Sequence, residues 1–221
     1  ECSAMSAKYL GKQFDIHGGG MDLLFPHHES EIAQSTACNH TSPANYWIHH
    51  NMITINGQKM AKSLNNGVLI TELFEGNHPL LEQAYSPMTL KFFVLQAHYR
   101  GTLDFSNEAL KAAEKGFQRL MNAVELLDKL KPGTTSDFSV ANLKAEIYNA
   151  LNEDFNTPIA LAGLFEAASW INKINDSKAS LTAEDLTDFT TFIKTMVFDV
   201  FGLVNENATQ GQDVKSYRDT V

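Results

Sequence analysis

The chain has 221 residues, 43% of them hydrophobic and 19% charged, and a formal net charge of −9. Those values exclude a wholly disordered chain, a collagen-like repeat and a disulfide-dense scaffold, and no apolar run reaches the roughly 18 residues that span a bilayer. Two cysteines, Cys2 and Cys38, cannot build a disulfide framework, which points to a reducing cytoplasm, and the acidity argues against nucleic-acid binding as the main business of the chain. The charge is unevenly spread. Residues 1–66 hold four lysines against five acids, with six of the eight histidines before residue 51; the remaining 155 residues hold 13 basic and 21 acidic side chains. Two regions with different roles are expected.

In chain order, the run Phe14-Asp15-Ile16 reads as a buried strand feeding a loop at Gly18-Gly19-Gly20. Phe25-Pro26 precedes a helix expected over His27–Ser35, with proline near its first turn. Tyr46–Ile48 and Met52–Ile55 read as strands, the second closed by the hairpin signal Asn56-Gly57. Lys59 to Gly67 reads as a polar loop. From Ser86-Pro87 the pattern turns helical, with Leu90, Phe93, Val94 and Ala97 on one face. Further helices are expected over Asn107–Leu130, Val140–Asn152, Thr157–Ile174 and Ala183–Phe201, which together make a bundle. The tail from Asn205 is polar.

Three constellations could carry chemistry. His27 and Glu31 are four apart on the expected helix, so imidazole and carboxylate share a face; with the Cys2 thiolate they would give three of the four ligands of a tetrahedral zinc ion. The same HxxxE spacing also suits a solvated helix face. His17-Gly18-Gly19-Gly20-Met21-Asp22 offers backbone that a ligand can approach closely and, in Asp22, an acceptor for ribose hydroxyls, although a glycine triplet is also an ordinary loop. Lys59 and Lys62 beside Ser63 suit a loop that clamps a polyphosphate, or simply a solvated surface. The aromatic residues of the rear helices read as core, Cys38 as a small buried or half-buried residue, and Arg100 as a cation at a helix C-terminus within reach of a phosphate.

These signals occur in one order. Glu1-Cys2-Ser3-Ala4-Met5, Asp15-Ile16-His17-Gly18-Gly19-Gly20-Met21-Asp22-Leu23, Phe25-Pro26-His27-His28-Glu29-Ser30-Glu31 and Lys59-Met60-Ala61-Lys62-Ser63-Leu64 closely resemble cysteinyl-tRNA synthetase, a class I aminoacyl-tRNA synthetase. The resemblance continues through His98-Tyr99-Arg100 and Asn152-Glu153-Asp154-Phe155-Asn156-Thr157-Pro158, over about residues 1–175. It implies an α/β plus all-α fold: the C-terminal part of a Rossmann-type catalytic domain over 1–52, a KMSKS loop and connector over 53–85, and an antiparallel, DALR-like helical bundle that contacts tRNA over 86–204, before a polar tail at 205–221.

Residue by residue, the resemblance implies that Cys2, His27 and Glu31 bind Zn2+, which takes the thiolate of substrate L-cysteine. It places His17 beside the amino-acid pocket and Gly19 and Asp22 at the ATP ribose. Lys62, assisted by Lys59, would stabilise the triphosphate, with Mg2+ accompanying ATP. The partners implied are tRNA(Cys), L-cysteine and ATP, in a cytoplasmic, monomeric enzyme without membrane contact. Ala61 stands where the family usually has serine, a change expected to matter little because both lysines remain. No HIGH motif and no fourth zinc ligand, a cysteine in the family, occur in these residues, and the sequence opens without an initiator methionine. A piece of a longer ligase, inactive on its own, is therefore expected. Two alternatives are a mycothiol-type cysteine ligase acting on an amino sugar and a non-catalytic helical interaction module.

Overall fold

A computed structural model describes residues 1–61, 64 and 66–206. By packing, the chain divides into two units: residues 1–67 with 99–105, and residues 68–98 with 106 onward.

The first unit is built on a short parallel pair. Strand β1 (Phe14–Gly20) lies beside β2 (Ala44–His50) in a register that runs from Phe14↔Ala44 to Gly20↔His50. Parallel neighbours need a crossover. Here it runs through a 3-10 turn (Met21–Leu23), a wide turn (Leu24–His28) and helix α2 (Glu29–Asn39), which ends where His40 takes a left-handed conformation. Helix α1 (Cys2–Tyr9) precedes β1 and is tied to α2 by Ser3 Oγ donating to Gln34 Oε1 at 3.0 Å.

The glycine triplet is therefore strand rather than the expected loop, because each of its residues has a β2 partner, Gly18↔Ile48, Gly19↔His49 and Gly20↔His50. Likewise His27 lies in the wide turn, two residues before α2 begins at Glu29, although the sequence pattern starts the helix at His27. Cys38 is exposed, against the expected burial: it follows Glu31 and Ser35 at helical spacing, but it sits one residue before the end of α2 at Asn39, where that face is no longer covered.

A second small sheet has the order β4-β3-β5. Strands β3 (Ile53–Ile55) and β4 (Gln58–Lys59) form the hairpin that Asn56-Gly57 signals, and both turn residues have positive φ, 49° and 77°. Strand β5 (Leu103–Phe105) joins from far along the chain, parallel to β3. It carries no strong sequence signal. The preceding helix ends at Leu95, so Arg100 sits in the connection to β5 and not at a helix C-terminus; its Nε donates to Tyr99 Oη.

The second unit is helical: α3 (Ile70–Glu75), α4 (Pro87–Leu95), α5 (Asn107–Leu126), α6 (Val140–Asn152), α7 (Thr157–Asn175) and α8 (Ala183–Lys194). The helix starts are set by capping residues. Ser86, Ser106, Ser139, Asn156 and Thr182 each accept a hydrogen bond from a backbone N–H in the first turn of their helix. Helix α5 buries Leu110, Ala113, Phe117, Leu120, Met121 and Val124, one stripe at helical spacing. Phe92 of α4 packs on Phe117 and edge-on to Phe165 of α7. At Gly163 a Cβ would lie 2.6 Å from Ile147 Cγ1, so the absence of a side chain lets α6 and α7 approach. Two of the resembling segments meet in this unit, where Thr157 Oγ1 donates to Ala97 O and His98 Nε2 lies 3.8 Å from Asp154 Oδ2.

Candidate functional site

The β1–β2 register decides what faces what. His17 is opposite Trp47 and Gly19 opposite His49, with side chains alternating along each strand, so His17, Trp47 and His49 share one face. Gly19 leaves a gap on that face. The imidazole of His28 fills it: a Cβ on Gly19 would lie 2.8 Å from His28 Cε1. His28 is only 3% exposed, its Nδ1 is 2.8 Å from His49 Nε2, and its ring lies against Trp47 and His17 at centroid distances of 5.0 and 5.1 Å. Burial, and then the neighbouring His17, push the His28 imidazole below its ordinary value, which favours its neutral form.

Beside this cluster lies Glu31, a carboxylate 5% exposed. His27 Nε2 is 2.9 Å from one of its oxygens and His17 Nε2 is 3.1 Å from the other. Although close to the carboxylate, His17 Nε2 is a buried atom with no aligned hydrogen bond. No Lys or Arg stands at ion-pair distance from Glu31 among the described residues. A buried carboxylate in this setting calls for another source of positive charge. The Cys2 thiol, the His27 imidazole and the Glu31 carboxylate have ligand atoms that all lie within 4.8 Å of one another, as do those of His17, His28 and Glu31.

Sulfur, nitrogen and oxygen donors around one point fit Zn2+. Helix α1 delivers the thiol, its cysteine at the first position and its body bound to α2 through Ser3 and Gln34. The expected ligands thus converge from two segments, with His17 adjoining them.

The remaining expected residues lie apart from this cluster. Asp22 is in the 3-10 turn after β1, exposed, with its carboxylate over Gly20. Lys59 ends the hairpin, exposed on β4. Lys62 lies outside the described residues. Two side chains fix the backbone around Lys59. Asn66 accepts from Ala61 N–H at 2.9 Å and donates to Lys59 O at 3.0 Å, bracing the backbone on either side of Met60. Asp104 Oδ1 accepts from Thr54 Oγ1 at 2.6 Å and from Gly57 N–H at 2.7 Å, which pins the hairpin turn and holds the Asp104 carboxyl below its ordinary range.

Sequence reasoning missed His28, Trp47, His49, Asn66 and Asp104. For Trp47 and His49 a signal existed, alternate positions on a strand paired with a glycine strand. For Asp104 there was none, since its strand is recruited across about fifty residues.

Comparison with known proteins gives this arrangement its family. Residues 1–115 match the class I (C) tRNA synthetase catalytic domain, and residues 146–206 match the DALR domain. The cysteine–tRNA ligase of Bacteroides thetaiotaomicron is 56% identical over 211 residues, covering 95% of this chain and 43% of the relative. That of Cytophaga hutchinsonii is 55% identical, covering 94% and 44%, and that of Chlorobium luteolum 41% identical, covering 96% and 42%. The chain therefore spans less than half the length of these relatives.

Among solved structures, a LeuRS of Agrobacterium radiobacter in ternary complex with tRNA and LeuAMS aligns with a TM-score of 0.58 at 15% identity, over 93% of this chain and 29% of that one, a likeness of fold alone. No described helix is long and apolar enough to cross a membrane. With more than half of its residues matched to that catalytic domain, and the metal-type cluster inside the matched part, the chain belongs to the class I tRNA synthetases.

Proposed function

We propose that this chain is the zinc-bearing, tRNA-contacting part of a cysteine–tRNA ligase, which joins L-cysteine to tRNA(Cys) with ATP, accompanied by Mg2+, converted to AMP and pyrophosphate. The observation that carries the reading is the convergence of Cys2, His27 and Glu31 within 4.8 Å, in a chain 56% identical to a cysteine–tRNA ligase. The DALR match and the names of the relatives favour tRNA over an amino sugar as acceptor, and a ligase over a helical interaction module.

In this reading Cys2, His27 and Glu31 would hold Zn2+. Bound there, the ion supplies a soft position that takes a thiolate and discriminates against the hydroxyl of serine. His17, 3.1 Å from the second oxygen of Glu31, bounds the amino-acid pocket. His28, buried against Trp47 and His49, keeps water from that wall. Gly19 and Asp22 border the ATP ribose, whose hydroxyls donate to the Asp22 carboxylate. Lys59 and Lys62 set positive charge against the triphosphate as the cysteine carboxylate attacks the α-phosphorus and pyrophosphate leaves. The chain supplies positioning and electrostatics, with no covalent bond to the enzyme. Helices from residue 86 to 204 receive the tRNA. Exposed Cys2 and Cys38 are free thiols, consistent with a reducing cytoplasm. We take the ligase to be monomeric, which sedimentation of the full-length protein tests.

The deciding measurement is ATP–pyrophosphate exchange by the full-length ligase that contains this chain, with cysteine and with serine. Glu31→Gln should remove stoichiometric zinc and lower cysteine-dependent exchange by about 100-fold or more. Full zinc content and unchanged discrimination in that variant would refute the reading. The 221-residue chain alone should catalyse no exchange.

A further inference from the structure

Strand β4 is two residues long and lies at the edge of its sheet, with β3 on one side and, among the described residues, no strand on the other. Its pairing sets which way its backbone faces. In a two-residue hairpin the pair flanking the turn, here Ile55 and Gln58, takes the ladder bonds, so the next residue, Lys59, turns its own N–H and C=O away from β3. An open edge of this kind is ordinarily left to water or to another strand. Here a side chain takes the strand's place. Asn66 is half-buried; its Nδ2 donates to Lys59 O at 3.0 Å and its Oδ1 accepts from Ala61 N–H at 2.9 Å. One planar amide thus bonds a carbonyl and an N–H two residues apart, the set that a neighbouring strand would bond. Because the two partners are of opposite kind, they also fix which way round the amide lies. Ala61 is held a second time, its carbonyl accepting from Leu64 N–H at 3.0 Å.

The opposite side of the sheet is fixed as well. Residues directly opposite one another share a face. Lys59 is opposite Thr54 and Thr54 is opposite Asp104, so Lys59 is the outermost member of a row that crosses β4, β3 and β5. Asp104 anchors the inner end of this row, accepting from Thr54 Oγ1 and from Gly57 N–H. Asn66 anchors the outer end, at the carbonyl of Lys59 itself. A lysine side chain is a flexible four-carbon stem, and what aims it is the direction in which its backbone sets it off. On an exposed edge strand of two residues that direction depends on the outer partner.

We propose that Asn66 is a positioning residue for adenylate formation and acts through Lys59: by completing the edge of β4 it keeps that lysine directed at the triphosphate. This rests on the ligase reading for the reaction, and deepens it by a residue that works at one remove from the reacting atoms. The charge of Lys59 matters most as pyrophosphate departs, so a misdirected lysine is felt in the transition state more than in the binding of ATP.

The test is ATP–pyrophosphate exchange by the full-length ligase carrying Asn66→Ala, Lys59→Gln, or both, each with a thermal melt. Asn66→Ala should lower kcat about tenfold while KM for ATP stays within about twofold. Its melting temperature should stay within about 2 °C of wild type, as for a surface substitution. In the Lys59→Gln background the same change should cost less than about twofold, because residues that act as one unit are not additive. Asn66→Asp keeps an acceptor for Ala61 N–H but sets a carboxylate oxygen against the Lys59 carbonyl, and should lose about as much as Asn66→Ala. Losses that add in the double variant, a loss confined to KM, a kcat equal to wild type, or a fall in melting temperature that accounts for the lost activity would each overturn the inference and leave the ligase reading standing. The absence of cysteine-dependent exchange by the wild-type ligase would overturn the ligase reading, and with it the reaction that Asn66 is inferred to serve.

Discussion

The two units use burial for opposite purposes. In the helical unit the covered side chains are apolar almost throughout, with Phe92, Leu110, Leu164, Phe189 and Met196 at 0% exposure, and the one buried polar side chain among the described residues, Thr89, is bonded to the cap residue Ser86. In the first unit fully covered apolar side chains are few, Ala44, Ile55 and Phe105 among them, while Ile16, Phe25 and Tyr46 are more than half exposed. What that unit covers instead is His28, Glu31 and Ser35. Buried polar groups cost stability unless they are matched, so the first unit spends stability on a site and the second supplies the scaffold.

The sharpest way to break this contrast is to empty each core. Phe189→Ala should destabilise the helical unit by about 3–5 kcal/mol, because the ring is wholly buried and leaves a cavity. Ile16→Ala should cost about 0.5 kcal/mol or less, since Ile16 is 56% exposed. Urea unfolding followed by circular dichroism measures both, and comparable losses would erase the distinction.

A second variant sharpens it from the other side. His17→Ala removes the imidazole beside Glu31 without touching the expected ligands. Zinc affinity should fall about 10–100-fold, measured by competition with a chromogenic chelator, while the urea midpoint of the helical unit stays put. A shift in that midpoint instead of in metal affinity would make His17 a packing residue.

The same contrast explains which parts were readable in advance. Helices α5, α6 and α7 declare themselves through a single apolar stripe and through Ser106, Ser139 and Asn156 at their starts, all local signals. The front elements are short, and pairing overrides local preference there. Gly18-Gly19-Gly20 looks like a loop until β2 supplies its partners, and Leu103–Phe105 becomes a strand only because β3 is waiting for it. Cys2, His27 and Glu31 were legible as donors of suitable chemistry, and their order along the chain as a resemblance. That His28 would fill the gap over Gly19 was not, because two strands and a turn must be placed before the gap exists. Sequence period reports which face is apolar; it says little about which polar groups will be enclosed.

Gly19→Ala probes that enclosure directly. The added methyl would meet His28 Cε1 at 2.8 Å and Leu23 Cδ1 at 3.0 Å, so the imidazole must move and its contact with His49 must open. The expected loss is about 1–3 kcal/mol in the first unit. Nuclear magnetic resonance titration of the histidines should then show the His28 imidazole returning toward its ordinary value, since the burial that lowers it is relieved. An unchanged His28 titration would mean that the ring is not what occupies the space above Gly19.

The smallest effect belongs to Asp104, an exposed carboxylate that nevertheless ties β5 to the hairpin before the signature loop. Its carboxyl is lowered first by the bond from Thr54 Oγ1 and then by that from Gly57 N–H. A carboxylate whose folded value lies below its unfolded value of 3.8 stabilises the fold above that pH. As pH falls through the folded value, the stabilisation is lost. Asp104→Ala should therefore cost about 0.5 kcal/mol at neutral pH, the low end for a charged hydrogen bond because solvent screens it. The gap between variant and wild type should close below pH 3.8, and Asp104→Asn, which keeps an acceptor oxygen, should show a smaller gap with less pH dependence. Thermal melts of the three proteins across acidic pH decide it. A gap that persists unchanged below that range would assign the effect to packing of β5, and would mean that even this surface tie in the first unit is apolar in origin, as in the helical one.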